Sequence, residues 1–292
     1  MKILIEKYKV LAFVVFAYAF SWLCWLPVVH VVQSDLFKSP GWAIALIFLG
    51  GYGPTLSALL IQSIIGGWVG VKTLLKKLLM WRIGFKWFGL ILFVWPIINA
   101  LALGIYWSVG GELGSVNYGL LPWIPAVYLV SLFLGPLAEE LGWRGFALPI
   151  LYKKYGFFQS SILLGVIWAM WHAPLFWAAT GTAISGFPVT VAMILIFILG
   201  TTGTNIIYTW LYKNTQGGAF VGVLAHLSTN ATGTISLMLF QDISVGNRQV
   251  IYYYFIAVTW SLILSGALYV RLFKSKISTN GKLNLVEMTT RC

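Results

Sequence analysis

The chain has 292 residues, of which 60% are hydrophobic and 9% charged, and its net charge is +12. Soluble globular proteins carry about 25% charged residues, so a soluble fold could not cover this much apolar surface. The same numbers exclude a disordered chain, and two cysteines exclude a disulfide scaffold. What remains is an all-α polytopic membrane bundle, with a basic excess that reflects the positive-inside bias and not a nucleic-acid partner.

Lys2, Lys7 and Lys9 precede an apolar run over about 10–32. It is too long for the core of a signal peptide and no small-x-small cleavage site follows, so it reads as an uncleaved first span. Further runs cover about 42–66, 87–109, 121–148, 159–179, 187–211, 217–240 and 250–272. Each has about 20 residues or more, enough to cross about 30 Å of hydrocarbon. Gly50-Gly51-Tyr52-Gly53-Pro54 interrupts the second run, and Thr229-Asn230-Ala231-Thr232-Gly233 the seventh. The eight spans form one transmembrane domain over 1–273, followed by a polar, disordered tail over 274–292.

Eight spans put both termini on one side. With that side cytoplasmic, every Lys and Arg except Lys38 and Arg248 falls inside, as expected for a multi-pass plasma-membrane protein. The inner loop over about 67–86 holds Lys72, Lys76, Lys77, Arg82 and Lys86 between apolar residues. It reads either as a solvated loop or as an amphipathic helix on the anionic leaflet.

Few ionisable groups remain at membrane depth: His30, Glu139, Glu140, Arg144, His172 and His226. Such groups are costly in a span, so each is a functional candidate. His30 has no motif around it and reads as interfacial or core. Pro136-Leu-Ala-Glu-Glu-Leu-Gly-Trp-Arg-Gly-Phe-Ala-Leu-Pro149 has no proline or turn pair between its ends and reads as helix. Glu140 and Arg144, four apart, share a face in the favourable acid-first order. Glu139 is rotated about 100° away and is free to meet a cavity as a base. His172 lies in the fifth run, behind Pro174, which is expected to kink it. His226 and Asn230, four apart in the seventh run, can act on one ligand or oxyanion. Taken singly, these are core groups or interhelical hydrogen bonds; taken together, they argue for one polar cluster. The Gly200-Thr-Thr-Gly-Thr204 run with Asn205 suits close helix packing in the sixth run.

The ordered set resembles the intramembrane proteases of the CAAX-protease and bacteriocin-processing class, often called the Abi group. Their pattern is Glu-Glu-x-x-x-Arg, Phe-x-x-x-His and His-x-x-x-Asn on successive helices. Here Glu139-Glu140-x-x-x-Arg144 and His226-x-x-x-Asn230 fit fully, while Trp168-x-x-x-His172 has Trp for Phe and keeps an aromatic packing position. The resemblance covers about 130–232. It implies an eight-helix bundle and a proteolytic centre reached from the cytosolic side. In such a site Glu139 and His172 activate a water, His226 and Asn230 stabilise the oxyanion, and Glu140 and Arg144 pair to hold the site. A zinc held by Glu139, His172 and His226 is the alternative mechanism. The absence of His-Glu-x-x-His favours the form without cofactor or metal.

The expected substrate is a membrane-associated peptide or protein: a prenylated C-terminus, a signal or pheromone precursor, or a bacteriocin-like peptide. The rival classes are a non-catalytic immunity or scaffold protein, and a transporter using the same buried cluster. If the fifth run enters from the inner side at 159, His172 lies about 20 Å deep. Glu139 must then be deep too, which asks the fourth helix to continue to about 148 and end at Pro149.

Overall fold

The computed structural model describes residues 2–215 and 217–289, with side chains described through Arg271. The tail expected over 274–292 falls outside the residues whose side chains are described. Eleven α-helices, several short 3-10 turns and one π-helical segment are seen, with no strand among the described residues. α1 (Lys2–Lys7) and α2 (Lys9–Trp25) open the chain. A stretch of turns, in which His30 is exposed, leads to α3 (Gly41–Gly51) and α4 (Gly53–Lys76). α5 (Phe85–Ser108) follows. Then come α6 (Ile124–Phe133), α7 (Pro136–Glu140), the π-helical segment Leu141–Ala147 and α8 (Leu148–Trp171). α9 (Val191–Asn214), α10 (Ala219–Leu239) and α11 (Val245–Thr289) complete the bundle.

Among the described residues, five stretches are long and apolar enough to cross a membrane: Gly53–Leu79, Phe85–Ser108, Tyr118–Trp171, Val191–Asn214 and Val245–Arg271. Lys9–Trp25 and Gly41–Gly51 are shorter apolar helices. Each of the eight expected runs contains helix, but several limits differ. The first run leaves helix at Trp25 and the fifth at Trp171, well before 32 and 179. The glycine cluster does break the second run, between α3 and α4. Thr229–Gly233 breaks nothing: α10 runs through it, with Ala231 and Thr232 buried against neighbouring helices.

The fourth span does not end at Pro149. Pro149 sits in the first turn of α8, where a missing N–H costs nothing. The chain turns instead at Gly156, with φ 74° and ψ −172°, a backbone that L side chains rarely adopt. Trp168 and Glu139 are 29 residues apart and hydrogen-bonded. In one straight helix they would stand about 43 Å apart at 1.5 Å per residue. Gly156 therefore folds Tyr118–Trp171 back on itself as a helical hairpin.

The main core joins α2, α4, α5 and α8 through Phe13, Ile61, Trp95, Trp143, Leu148 and Leu164, all almost fully buried. Tryptophan N–H groups lace the N-terminal helices to this core. Trp171 Nε1 donates to Ser21 Oγ at 2.8 Å, and Ser21 Oγ donates to the Gly50 carbonyl at 2.6 Å. Trp25 Nε1 donates to the Ile47 carbonyl at 3.0 Å and Trp22 Nε1 to the Trp171 carbonyl at 2.9 Å. In a membrane these bonds hold α2, α3 and α8 in register, since apolar packing alone gives little preference between helix and lipid.

Candidate active site

The site is built on the break between α6 and α7. Gly135 has φ 153° and ψ −66°, and Pro136 then starts α7 with its φ already helical. This turn starts a new helix directly under two adjacent carboxylates, whose surroundings differ completely.

Glu140 is fully buried and charge-paired. Its Oε1 accepts from Arg144 Nη1 at 2.7 Å and from His226 Nδ1 at 2.9 Å. Arg144, also fully buried, donates from Nη2 to Asn205 Oδ1 at 2.7 Å, and Asn205 Nδ2 donates to the Ser161 carbonyl at 2.6 Å. The guanidinium lies over the Trp168 ring at 4.3 Å and the Tyr208 ring at 4.7 Å. Such a pair is tolerated in an apolar interior because hydrogen bonds and ring faces take over its hydration. α10 can approach because residue 222 is glycine: a Cβ there would stand 2.4 Å from Glu140 Oε2.

Glu139 touches no cation side chain directly. Its Oε2 accepts from two indoles, Trp168 Nε1 at 2.8 Å and Trp143 Nε1 at 3.3 Å. Its Oε1 lies beside Gly135. A Cβ on Gly135 would meet Oε1 and Asn230 Nδ2 at 3.2 Å each and His226 Cε1 at 3.4 Å. Glu139, His226 and the half-buried Asn230 thus converge on one side of Gly135.

His172 caps the C-terminus of α8, and a 3-10 turn, Ala173–Trp177, follows it, so Pro174 starts a turn and kinks no helix. His172 Nδ1 lies 2.9 Å from the Trp168 carbonyl. A carbonyl only accepts, so Nδ1 carries the hydrogen and Nε2 is the basic nitrogen. The ring sits edge-on to Trp171 at 4.7 Å and to Phe197 at 5.8 Å.

Glu139 and His172 both line one partly open cleft. Its walls include Trp25, Ile47 and Phe48 from α2 and α3, and Phe133, Leu134 and Gly135 at the α6–α7 break. His226 and Asn230 are not among its lining residues and stand against Gly135. Glu140, Arg144 and Trp168 support the site from behind.

Sequence reasoning missed four contributors. Asn205 was read as packing, yet it holds Arg144; a lone amide in an apolar span was the available signal. Gly135 and Gly222 precede site residues by four positions each, at Glu139 and His226, which marks close approach only once the chain is folded. Trp143 lies inside the Glu-Glu motif but has no signal as a donor. Among the described residues, no three His, Cys, Asp or Glu side chains gather as a metal site requires. As placed, Glu139, His172 and His226 do not form such a group.

Residues 121–232 match the family model described as type II CAAX prenyl endopeptidase Rce1-like. A relative, CAAX prenyl protease 2 of Methanococcus maripaludis, is 25% identical over 175 residues, which cover 58% of this chain and 64% of that protein. The match therefore spans less than two thirds of the relative's length. The matched segment contains the helical hairpin, α9 and most of α10, while the cleft walls Trp25, Ile47 and Phe48 lie outside residues 121–232.

Proposed function

From the match of residues 121–232 to the type II CAAX prenyl endopeptidase Rce1-like model, we propose that the chain is an intramembrane endopeptidase of the CAAX-protease and bacteriocin-processing family. Its substrate is a membrane-tethered peptide or protein, with a prenylated C-terminus as the first candidate. The observation that carries this reading is the joint presentation of Glu139 and His172 to one cleft, each with one polar atom anchored and the other left for chemistry.

A water between Glu139 Oε1 and His172 Nε2 loses its proton to the carboxylate as its oxygen attacks the scissile carbonyl carbon. The C=O pair moves onto oxygen, and the oxyanion lodges beside Gly135, where the Asn230 amide supplies an N–H donor; His226, whose Nδ1–H is spent on Glu140, donates a second from Nε2 only in its doubly protonated form. The tetrahedral carbon collapses, the C–N bond breaks, and the proton on Glu139 passes to the leaving nitrogen. Glu140, paired with Arg144, holds His226 by its Nδ1. Both termini are placed on the cytosolic side of the plasma membrane, on the distribution of Lys and Arg.

The test uses the full chain in lipid nanodiscs with a quenched fluorogenic peptide farnesylated at a cysteine four from its end. Wild type should release fluorescence, Glu139→Gln and His172→Ala should not, and a chelator should leave the wild-type rate unchanged. Cleavage by folded Glu139→Gln at the wild-type rate would overturn the assignment of the base. Loss of the rate on chelation, restored by zinc, would overturn the metal-free route.

A further inference from the structure

Both anchored atoms of the cleft meet at one residue. The side chain of Trp168 donates its N–H to Glu139 Oε2, and its backbone carbonyl accepts from His172 Nδ1. The family pattern has Phe at this position, which offers the same ring packing and no donor. The hydrogen bond to Glu139 is therefore a property of this chain and not of the pattern.

The geometry points to Trp168 as the positioning residue for Glu139, holding Oε2, with help from Trp143, so that Oε1 alone is presented to the attacking water. This rests on the reading of Glu139 as the base. Three features of the surroundings support it. First, two N–H donors from different helical segments converge on the same oxygen, at 2.8 and 3.3 Å, while the other oxygen lies beside Gly135. A carboxylate on a flexible glutamate stem would otherwise exchange its two oxygens by rotation about its last torsion.

Second, neither indole can follow such a rotation. The Trp168 ring is pinned under the Arg144 guanidinium at 4.3 Å, packs on Tyr208 at 5.8 Å, and meets His226 edge-on at 5.2 Å. The fully buried Trp143 ring is held edge-on by Phe13 at 5.2 Å and by Trp171 at 5.7 Å. The donors are preorganised, so orienting the base costs no reorganisation during the reaction. Third, an indole N–H is neutral. It can fix the carboxylate without adding a second cation next to Arg144, and it gives up no proton of its own.

The prediction is a loss in turnover without a loss in binding. Trp168→Phe removes the N–H and keeps most of the ring. It should lower kcat about 10-fold, as expected for one hydrogen bond to a charged group, with KM within about 2-fold. Trp143→Phe, the longer bond, should give a smaller loss of the same kind. The assay is fluorogenic cleavage by the full chain in nanodiscs, with thermal unfolding recorded for every variant and Glu139→Gln run beside them.

Unchanged kcat in both tryptophan variants, with Glu139→Gln inactive, overturns the positioning role and leaves the base assignment standing. An active Glu139→Gln overturns the base assignment itself. Loss of kcat that tracks a loss of melting temperature marks Trp168 as structural and also overturns the proposal. If Trp168→Phe does not fold, Trp143→Phe decides: it must lower kcat at constant KM and constant melting temperature.

Discussion

Two halves of one polar cluster, separated by a single peptide bond, are built by opposite means. Around Glu140 the structure sets a full charge, the Arg144 guanidinium, which meets its Oε1 together with His226 Nδ1, while the Asn205 amide holds Arg144 from its other side. Around Glu139 it uses neutral donors, the indoles of Trp143 and Trp168, and leaves one oxygen beside Gly135 and the cleft. A carboxylate compensated by a buried cation is locked as an anion and is useful for holding shape. One held only by dipoles keeps the freedom to take and return a proton. Adjacent residues on one helix are thereby divided between architecture and chemistry.

The division is broken most severely on the chemical side. Glu139→Gln keeps shape and the indole hydrogen bonds but cannot accept a proton. Cleavage should fall by about 10²–10⁴-fold, with the melting temperature close to wild type. A large loss of stability instead would mean that Glu139 belongs with its neighbour as an architectural group.

On the architectural side the loss should appear as stability. Arg144→Leu leaves Glu140 ionised and buried with only His226 as partner. Breaking a buried pair in this way costs about 3–5 kcal/mol. Thermal or denaturant unfolding in mild detergent checks it, and Arg144→Leu should fail to fold at temperatures where Glu139→Gln remains intact. Because His226 is tied to Glu140 through Nδ1, activity should fall with the fold.

Two glycines sharpen the comparison, since each is the neighbour of one carboxylate. Gly222→Ala drives a Cβ to 2.4 Å from Glu140 Oε2 and 3.2 Å from the Arg144 stem, so the buried pair must shift to admit it. Overpacking of this kind costs about 1–3 kcal/mol and should lower the melting temperature. Gly135→Ala places its Cβ 3.2 Å from Glu139 Oε1 and Asn230 Nδ2 and forces φ 153° on an L residue. It should reduce kcat more than stability, because it covers the oxygen that faces the substrate. Reversal of these two outcomes would exchange the roles of the carboxylates.

The sequence already contained much of this site. Apolar run lengths and the lopsided placement of Lys and Arg identify a helical membrane bundle, and costly polar residues at depth pick out Glu139, Glu140, Arg144, His172, His226 and Asn230. What it hid was geometric. Pro149 marks a helix end by rule but is harmless at the first turn of α8, so only the backbone reveals that Gly156 makes the turn. Trp168 in a motif position reads as ring packing, because pattern and hydropathy carry no information on where an indole N–H points. Trp25 and Phe48 are ordinary apolar residues of N-terminal helices until the fold brings them to the cleft wall. Asn205 is 61 residues from Arg144, and nothing local announces their meeting.

Asn205 also gives the smallest and most discriminating test. Its amide links the charged half to α8, accepting from Arg144 and donating to the Ser161 carbonyl, so its hydrogen bonds go to neither Glu139 nor His172. Asn205→Ala leaves Arg144 paired with Glu140 and flanked by two rings, and removes one charged and one neutral hydrogen bond. Stability should fall by about 1–3 kcal/mol, read as a lower unfolding midpoint. Below that midpoint kcat and KM should stay within about 2-fold of wild type, since the indole-held carboxylate is untouched. Asn205→Asp tests the sign of the surroundings. A carboxylate there would give Arg144 a second anion beside Glu140, and the excess buried negative charge should cost more than the alanine change. If Asn205→Ala instead removes turnover at full stability, the charged half reaches the chemistry directly, and the separation of the two carboxylates does not hold.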